Sequence, residues 1–155
     1  MQNKTQFAED IRHHVCNVLL SDSLIDLAFD AQLGRDEVLD TLQPLLTRST
    51  PFHALTLLHA ALPDSRRTLD VLTSTLAALR RLPQWRASEL REAVSHAAAS
   101  HQVAARSAHT ICACWVLFGP SPLDLYSSMQ ALGREAVCRR CVTALESFRT
   151  NLMVS

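Results

Sequence analysis

Apolar residues recur at alternating spacings of three and four along almost the whole chain, and only three glycines, Gly34, Gly119 and Gly133, interrupt them. A period near 3.6 lines up one side of an α-helix, whereas a half-buried strand needs strict alternation. Phe7, Ile11, Val15 and Val18 form the first stripe, Val38, Leu42 and Leu45 a later one, and Leu69, Leu72, Leu76 and Leu79 the most regular. The six prolines stand mostly where such stripes begin or end, as expected of a residue that lacks an N–H and clashes inside a helix. The pattern predicts an all-α chain.

The expected helices follow from these signals. A short helix over residues 22–33 is ended by Gly34 in the left-handed conformation that glycine accepts cheaply. Thr50 is expected to cap a helix that starts at Pro51 and runs to about Leu62. Pro63-Asp64-Ser65 separates it from the Leu69–Leu79 helix, which Leu82-Pro83 breaks. Ser88 to Ser100 follows, with Leu90, Val94 and Ala97 on one side. Residues 103–118 are apolar on nearly every side and are expected at the centre. Gly119-Pro120-Ser121-Pro122 is the sharpest break, with Ser121 and Pro122 starting a helix over 123–132, and a last one runs from Arg134 to about Met153. About eight or nine helices in one domain, 1–155, imply an irregular helical bundle or a short array of helical hairpins; no clean repeat of fixed period is present. The Leu69–Leu79 stripe needs a partner helix from this chain or from a second subunit, which leaves a homo-oligomer open.

Composition removes several classes of function. Hydrophobic residues at 48% and charged ones at 19% describe a chain that folds. Fifteen Lys plus Arg balance fifteen Asp plus Glu, so no global field draws in nucleic acid or an anionic membrane. The start, MQNKTQFAED, lacks the apolar core of a secretory signal, and the most apolar stretch, 108–118, is about half a membrane span and contains His109. Five cysteines form an odd set without regular spacing, which fits reduced thiols in a cytoplasm.

The residues that would carry chemistry are few. Cys112 and Cys114 form C-x-C, and Cys138 and Cys141 form C-x-x-C; four thiolates hold zinc tetrahedrally. Two residues along a helix turn through about 200°, however, so Cys112 and Cys114 point apart, and ordinary buried cysteines are the simpler reading. A metal- or thiol-dependent site would use Cys112, Cys138, Cys141 and His109. His13 lies one turn from Cys16 and His109 three residues from Cys112, without a turn or helix start to expose and acidify either thiol. Asp10-x-x-His13 and Glu92-x-x-x-His96 put a carboxylate and an imidazole on one helix face, but no second Glu-x-x-His completes a di-iron set. No phosphate-binding glycine loop, G-x-S-x-G or H-E-x-x-H is present. The arginine groups Arg66-Arg67, Arg80-Arg81 with Trp85 and Arg86, and Arg139-Arg140 read as solvated helix ends rather than a phosphate track. No cofactor and no catalytic residue is expected.

Three segments, PFHALTLLHAALPDSRRTLDVL, LPQWRASELREAVSHAAAS and ARSAHTICACWVLFGPSPLDL, resemble an uncharacterised bacterial all-helical family of unknown function. Its members share an AL-x-LL-x-x-ALP helix, an alanine-rich helix and a Trp-containing helix that ends in a proline turn. The resemblance spans about residues 51–150. It implies a bacterial cytoplasmic protein, encoded near specialised secretion systems, and supplies no catalytic residues. The expected function is therefore a non-catalytic protein–protein interaction module, an adaptor or chaperone-like component whose partner is another protein. The expected partner surface is the Trp85-Arg86 segment and the turn from Gly119 to Tyr126, with Pro120 and Pro122, because proline and aromatic residues on a loop make a recognition edge.

Overall fold

Nine α-helices and one 3-10 turn, and no strand, make up the described residues of the computed structural model, which are 3–14, 21–47, 50–62 and 64–154. They are α1 (Lys4–His14), α2 (Asp22–Asp30), the turn Arg35–Glu37, α3 (Val38–Leu46), α4 (Phe52–Ala60), α5 (Ser65–Arg81), α6 (Ala87–Ala99), α7 (Ala105–Val116), α8 (Leu125–Leu132) and α9 (Arg134–Val154). The stripes read from the sequence are the faces that turn inward. Phe7 and Ile11, then Val38, Leu42 and Leu45, then Leu72, Leu76 and Leu79 are buried, and Leu69 is half-buried beside them. Val15 and Val18, which extend the first stripe, lie outside the described residues.

One contiguous core runs from Phe7 in α1 to Phe148 in α9. The α5 stripe packs chiefly on α9 and α6, while α7 meets α4, α6, α8 and α9. Pairings such as α5 with α9 and α2 with α8 join helices distant in sequence, so the arrangement is an irregular closed bundle and not a stack of hairpins touching only their neighbours. The Leu69–Leu79 stripe is thus covered by this chain's own helices.

Helix starts follow side-chain chemistry more closely than proline position. Ser21 accepts from the Leu24 N–H, Asp64 from the N–H groups of Arg66 and Arg67, and Asp124 from that of Ser127, each satisfying a donor that the first turn leaves open. Asp124 therefore starts α8, later than the expected Ser121-Pro122; Ser121 instead accepts from the Leu123 N–H inside the turn. Pro51 occupies the cap position of α4, with ψ at 157°, one residue outside the helix that it was expected to begin.

Two helix ends also depart from expectation. Gly34 has an ordinary φ of −72° and opens the following turn, where its N–H meets the Glu37 carboxylate. The left-handed residue after α2 is Gln32, at φ 58°, and the one after α6 is Gln102, at φ 59°. At each end a buried apolar residue donates back across the turn, Leu33 to the Ala28 carbonyl and Val103 to that of Ala98. That pairing closes a Schellman motif with glutamine where glycine is usual. A left-handed L-residue costs roughly 1–2 kcal/mol, of which glycine gives back part through its larger unfolded-state entropy. Gln102→Gly is expected to raise stability by about 0.5 kcal/mol. The urea midpoint checks this, and an unchanged or lowered midpoint would remove the strain at residue 102.

Arg139-Arg140 was expected to be solvated, and only half of it is. Arg139 is exposed beside Glu135, but Arg140 is 6% exposed in the body of α9. Its two terminal nitrogens donate to the Val116 carbonyl at 2.8 Å and the Thr47 carbonyl at 2.7 Å, and its guanidinium lies over the Phe118 ring. One buried arginine thereby joins α9, the end of α7 and the end of α3.

Candidate functional site

The five residues expected to meet a partner divide between surface and interior. Arg86, Pro120 and Pro122 are exposed. Trp85 is half-buried: its indole N–H donates to the Met129 carbonyl at 2.8 Å and the Arg134 guanidinium lies over its ring. Arg134 also donates to the Leu82 carbonyl, and the Ala87 N–H to the Gln130 side chain. The segment between α5 and α6 is therefore latched onto the end of α8. Tyr126 is 5% exposed, with the His109 ring edge-on to it and Arg91 over its face. Burial pushes its phenol up to about 12.

The thiols sit in the core. Cys112, Cys138 and Cys141 are buried and free, and the Cys141 thiol donates to the Leu72 carbonyl. Burial raises all three, with Cys141 reaching about 12, and Cys112 is raised further by Cys141, whose negative charge would oppose its own. A thiolate is the nucleophile and the metal ligand, so this environment opposes both roles. His109 is exposed on α7. Among the described residues no three His, Cys, Asp or Glu are grouped to hold a metal ion. Cys16 lies outside them. Asp10 pairs with Arg35 at 3.6 Å, His13 is exposed, and so are Glu92 and His96. Two further histidines tie helices together, His59 to Ser147 of α9 and His101 to Ser74 of α5.

A different arrangement appears where α7 meets the turn that follows it. The C-terminal part of α7 is buried as expected, but His109 and Thr110 face outward. Together with Ala113, Cys114, Leu117, Pro120 and Leu123 they enclose a mainly apolar recess of about 320 Å³. The turn that walls it requires glycine: Gly119 has φ +134°, and a Cβ there would stand 3.2 Å from the Leu57 side chain of α4. Leu57 is 43% exposed and Phe52, at the start of the same helix, is 84% exposed. Only Ala54 and Leu58 of α4 are fully buried, so a helix that is apolar on most sides keeps much of that surface outside.

The sequence held a signal for this face that helical periodicity does not reveal. Residues 49–63 and 107–123 contain no Asp, Glu, Lys or Arg, and they are the two longest such runs in the chain. The helices within them, α4 and α7, pack together. A charge-free run is ordinary for a buried helix, and here each of them also keeps apolar side chains exposed, Phe52 and Leu57 in one and Pro120 and Pro122 in the other. Exposed apolar surface beside a recess is of the kind that takes apolar side chains.

Among the described residues no helix is long and apolar enough to cross a membrane. In comparisons with known proteins, no family model matches this chain and no curated protein is significantly similar to it.

Proposed function

We propose that the protein is a non-catalytic protein–protein interaction module that docks its partner on the α4–α7 face. The observation that carries this reading is the Ala113–Pro120 recess, which no Asp, Glu, Lys or Arg lines, with Leu57 exposed against its Gly119 wall and Phe52 exposed at the start of α4. Exposed apolar patches rimmed by polar residues mark interaction sites on soluble proteins, and buried anchors dominate the binding energy there. Pro120 and Pro122, already singled out by sequence, supply part of the rim. Tyr126, edge-on to His109 of the recess and under Arg91, fixes α8 against α7 and α6, and Trp85 holds the segment before α6 on α8.

The finer reading is an adaptor or chaperone-like component of a bacterial, secretion-associated complex. Its support is the resemblance of residues 51–150. Four free buried thiols favour a reducing cytoplasm as its location.

Affinity capture with the tagged protein, compared with Phe52→Asp and Thr110→Arg, tests the docking surface. Both positions are exposed, so circular dichroism should show unchanged helicity and melting. The expected result is a protein retained in constant ratio by the wild type and reduced at least about tenfold by either variant. Equal retention by both folded variants would overturn the assignment of this face.

A further inference from the structure

We infer that Arg80, Arg81, Arg86 and Arg134, gathered around Trp85, form a second docking surface, and that it takes an acidic segment of a partner protein. This surface shares no residue with the α4–α7 face.

Three of the arginines come from one stretch of chain. Between Asp70 and Glu89 the only charged residues are Arg80, Arg81 and Arg86. The fold adds the fourth from far along the sequence. Arg134 donates to the Leu82 carbonyl and lies over the Trp85 ring at 5.5 Å, so its guanidinium rests on the segment that joins Arg81 to Arg86. Burial raises the Cys138 thiol, and Arg80 and Arg134 both act against that rise, so these two charges stand near one sulfur. All four arginines are exposed.

Among the described residues none of the four is in an ion pair. Glu89, the next acid along the chain, accepts from the Ser88 hydroxyl, and Glu135 holds Arg139 at 3.4 Å. The helix dipole explains two of the charges, since Arg80 and Arg81 end α5, where cations are favoured. It opposes the other two. Arg86 is the cap residue of α6 and Arg134 the first residue of α9, both at the positive end of a helix. Local electrostatics therefore works against the cluster, and a bound anion would offset that cost.

Size and chemistry fit a short acidic peptide. Guanidinium groups match carboxylates in bidentate fashion. Arg81 and Arg86 are five residues apart, a span of at most roughly 17 Å, which about five residues of an extended partner segment cover at roughly 3.3 Å each. A nucleic acid fits less well. Four cations meet fewer phosphates than the roughly 6–10 contacts of strong backbone binders. Nor is Trp85 free to stack on a base, with its N–H bonded to the Met129 carbonyl and Arg134 over its ring.

Fluorescence anisotropy of a labelled hexaglutamate peptide, titrated with the full chain at ~50 mM salt, tests the assignment. The wild type is expected to bind, and Arg81→Gln with Arg86→Gln to weaken binding about tenfold. Arg66→Gln with Arg67→Gln removes the same charge from exposed positions in the first turn of α5 and is expected to weaken it less than about twofold. Arg134 is kept, because it also holds the segment. All four substituted positions are exposed, so both double variants should keep the helicity and melting of the wild type by circular dichroism.

A loss confined to the Arg81 and Arg86 variant supports the surface. Equal loss in both variants would reduce the binding to bulk charge and overturn it, and so would a wild type that leaves the peptide unbound. A labelled single-stranded oligonucleotide of equal charge that binds more tightly than the peptide would also overturn it, in favour of nucleic acid. Neither Phe52 nor Thr110 belongs to this surface, so the two docking readings stand or fall separately.

Discussion

Trp115→Ala is expected to lower the free energy of unfolding by about 4 kcal/mol, and Trp115→Phe by well under half of that. Trp115 is fully buried in α7, the helix that meets α4, α6, α8 and α9. Truncation to alanine leaves a void that helices fixed on several sides cannot close, and the loss then includes a cavity contribution beyond transfer. Phenylalanine vacates less volume and removes something unfavourable. The Trp115 indole N–H has no hydrogen-bond partner among the described residues, and an orphaned buried donor costs roughly 1–3 kcal/mol. Urea unfolding followed by far-ultraviolet circular dichroism separates the two variants. A phenylalanine variant as unstable as the alanine one would show that the N–H is satisfied.

Arg140→Met is expected to cost about 2–3 kcal/mol although methionine retains much of the bulk. The substitution strands the Val116 and Thr47 carbonyls that the guanidinium now serves. Each unpaired buried acceptor costs roughly 1–3 kcal/mol. The loss is partly offset because no carboxylate pairs with Arg140 among the described residues, so a desolvated cation disappears with it. Burial accordingly lowers the pKa of the arginine below its ordinary value. Arg140→Lys should also destabilise, since one ammonium does not reproduce a fork that spans two carbonyls. Native-state hydrogen exchange gives the local readout, with faster exchange at the ends of α3 and α7 in both variants. A stable Arg140→Met protein would mean that the desolvation cost had outweighed the two bonds.

What the sequence revealed follows from which forces act over a few residues. The α5 and α6 stripes and α9 were legible because helical periodicity is local, and the Leu72, Leu90 and Val94 faces are buried where that periodicity puts them. The ends were less legible. A left-handed glutamine at 32 replaces the expected Gly34 device, and another at 102 ends α6, because burial of Leu33 and Val103 in the core outweighs the preference for glycine. Arg140 was hidden for a similar reason: its partners, Thr47 and Val116, lie far away along the chain, and nothing near it in sequence distinguishes it from Arg139. The recess was half legible. Its proline turn was visible as a break, but the α4 side was not, because Leu57 meets Gly119 only through the packing of α4 on α7.

The pairing of α5 with α9 governs how this chain must be made. While a ribosome is still adding residues before Arg134, α5 has been synthesised but α9, one of its two main neighbours, has not. The nascent protein therefore carries the part of the Leu72–Leu79 face that α9 covers open through the synthesis of α6, α7 and α8. Incomplete translation products that stop in that interval keep the face exposed and become substrates for chaperones and proteases.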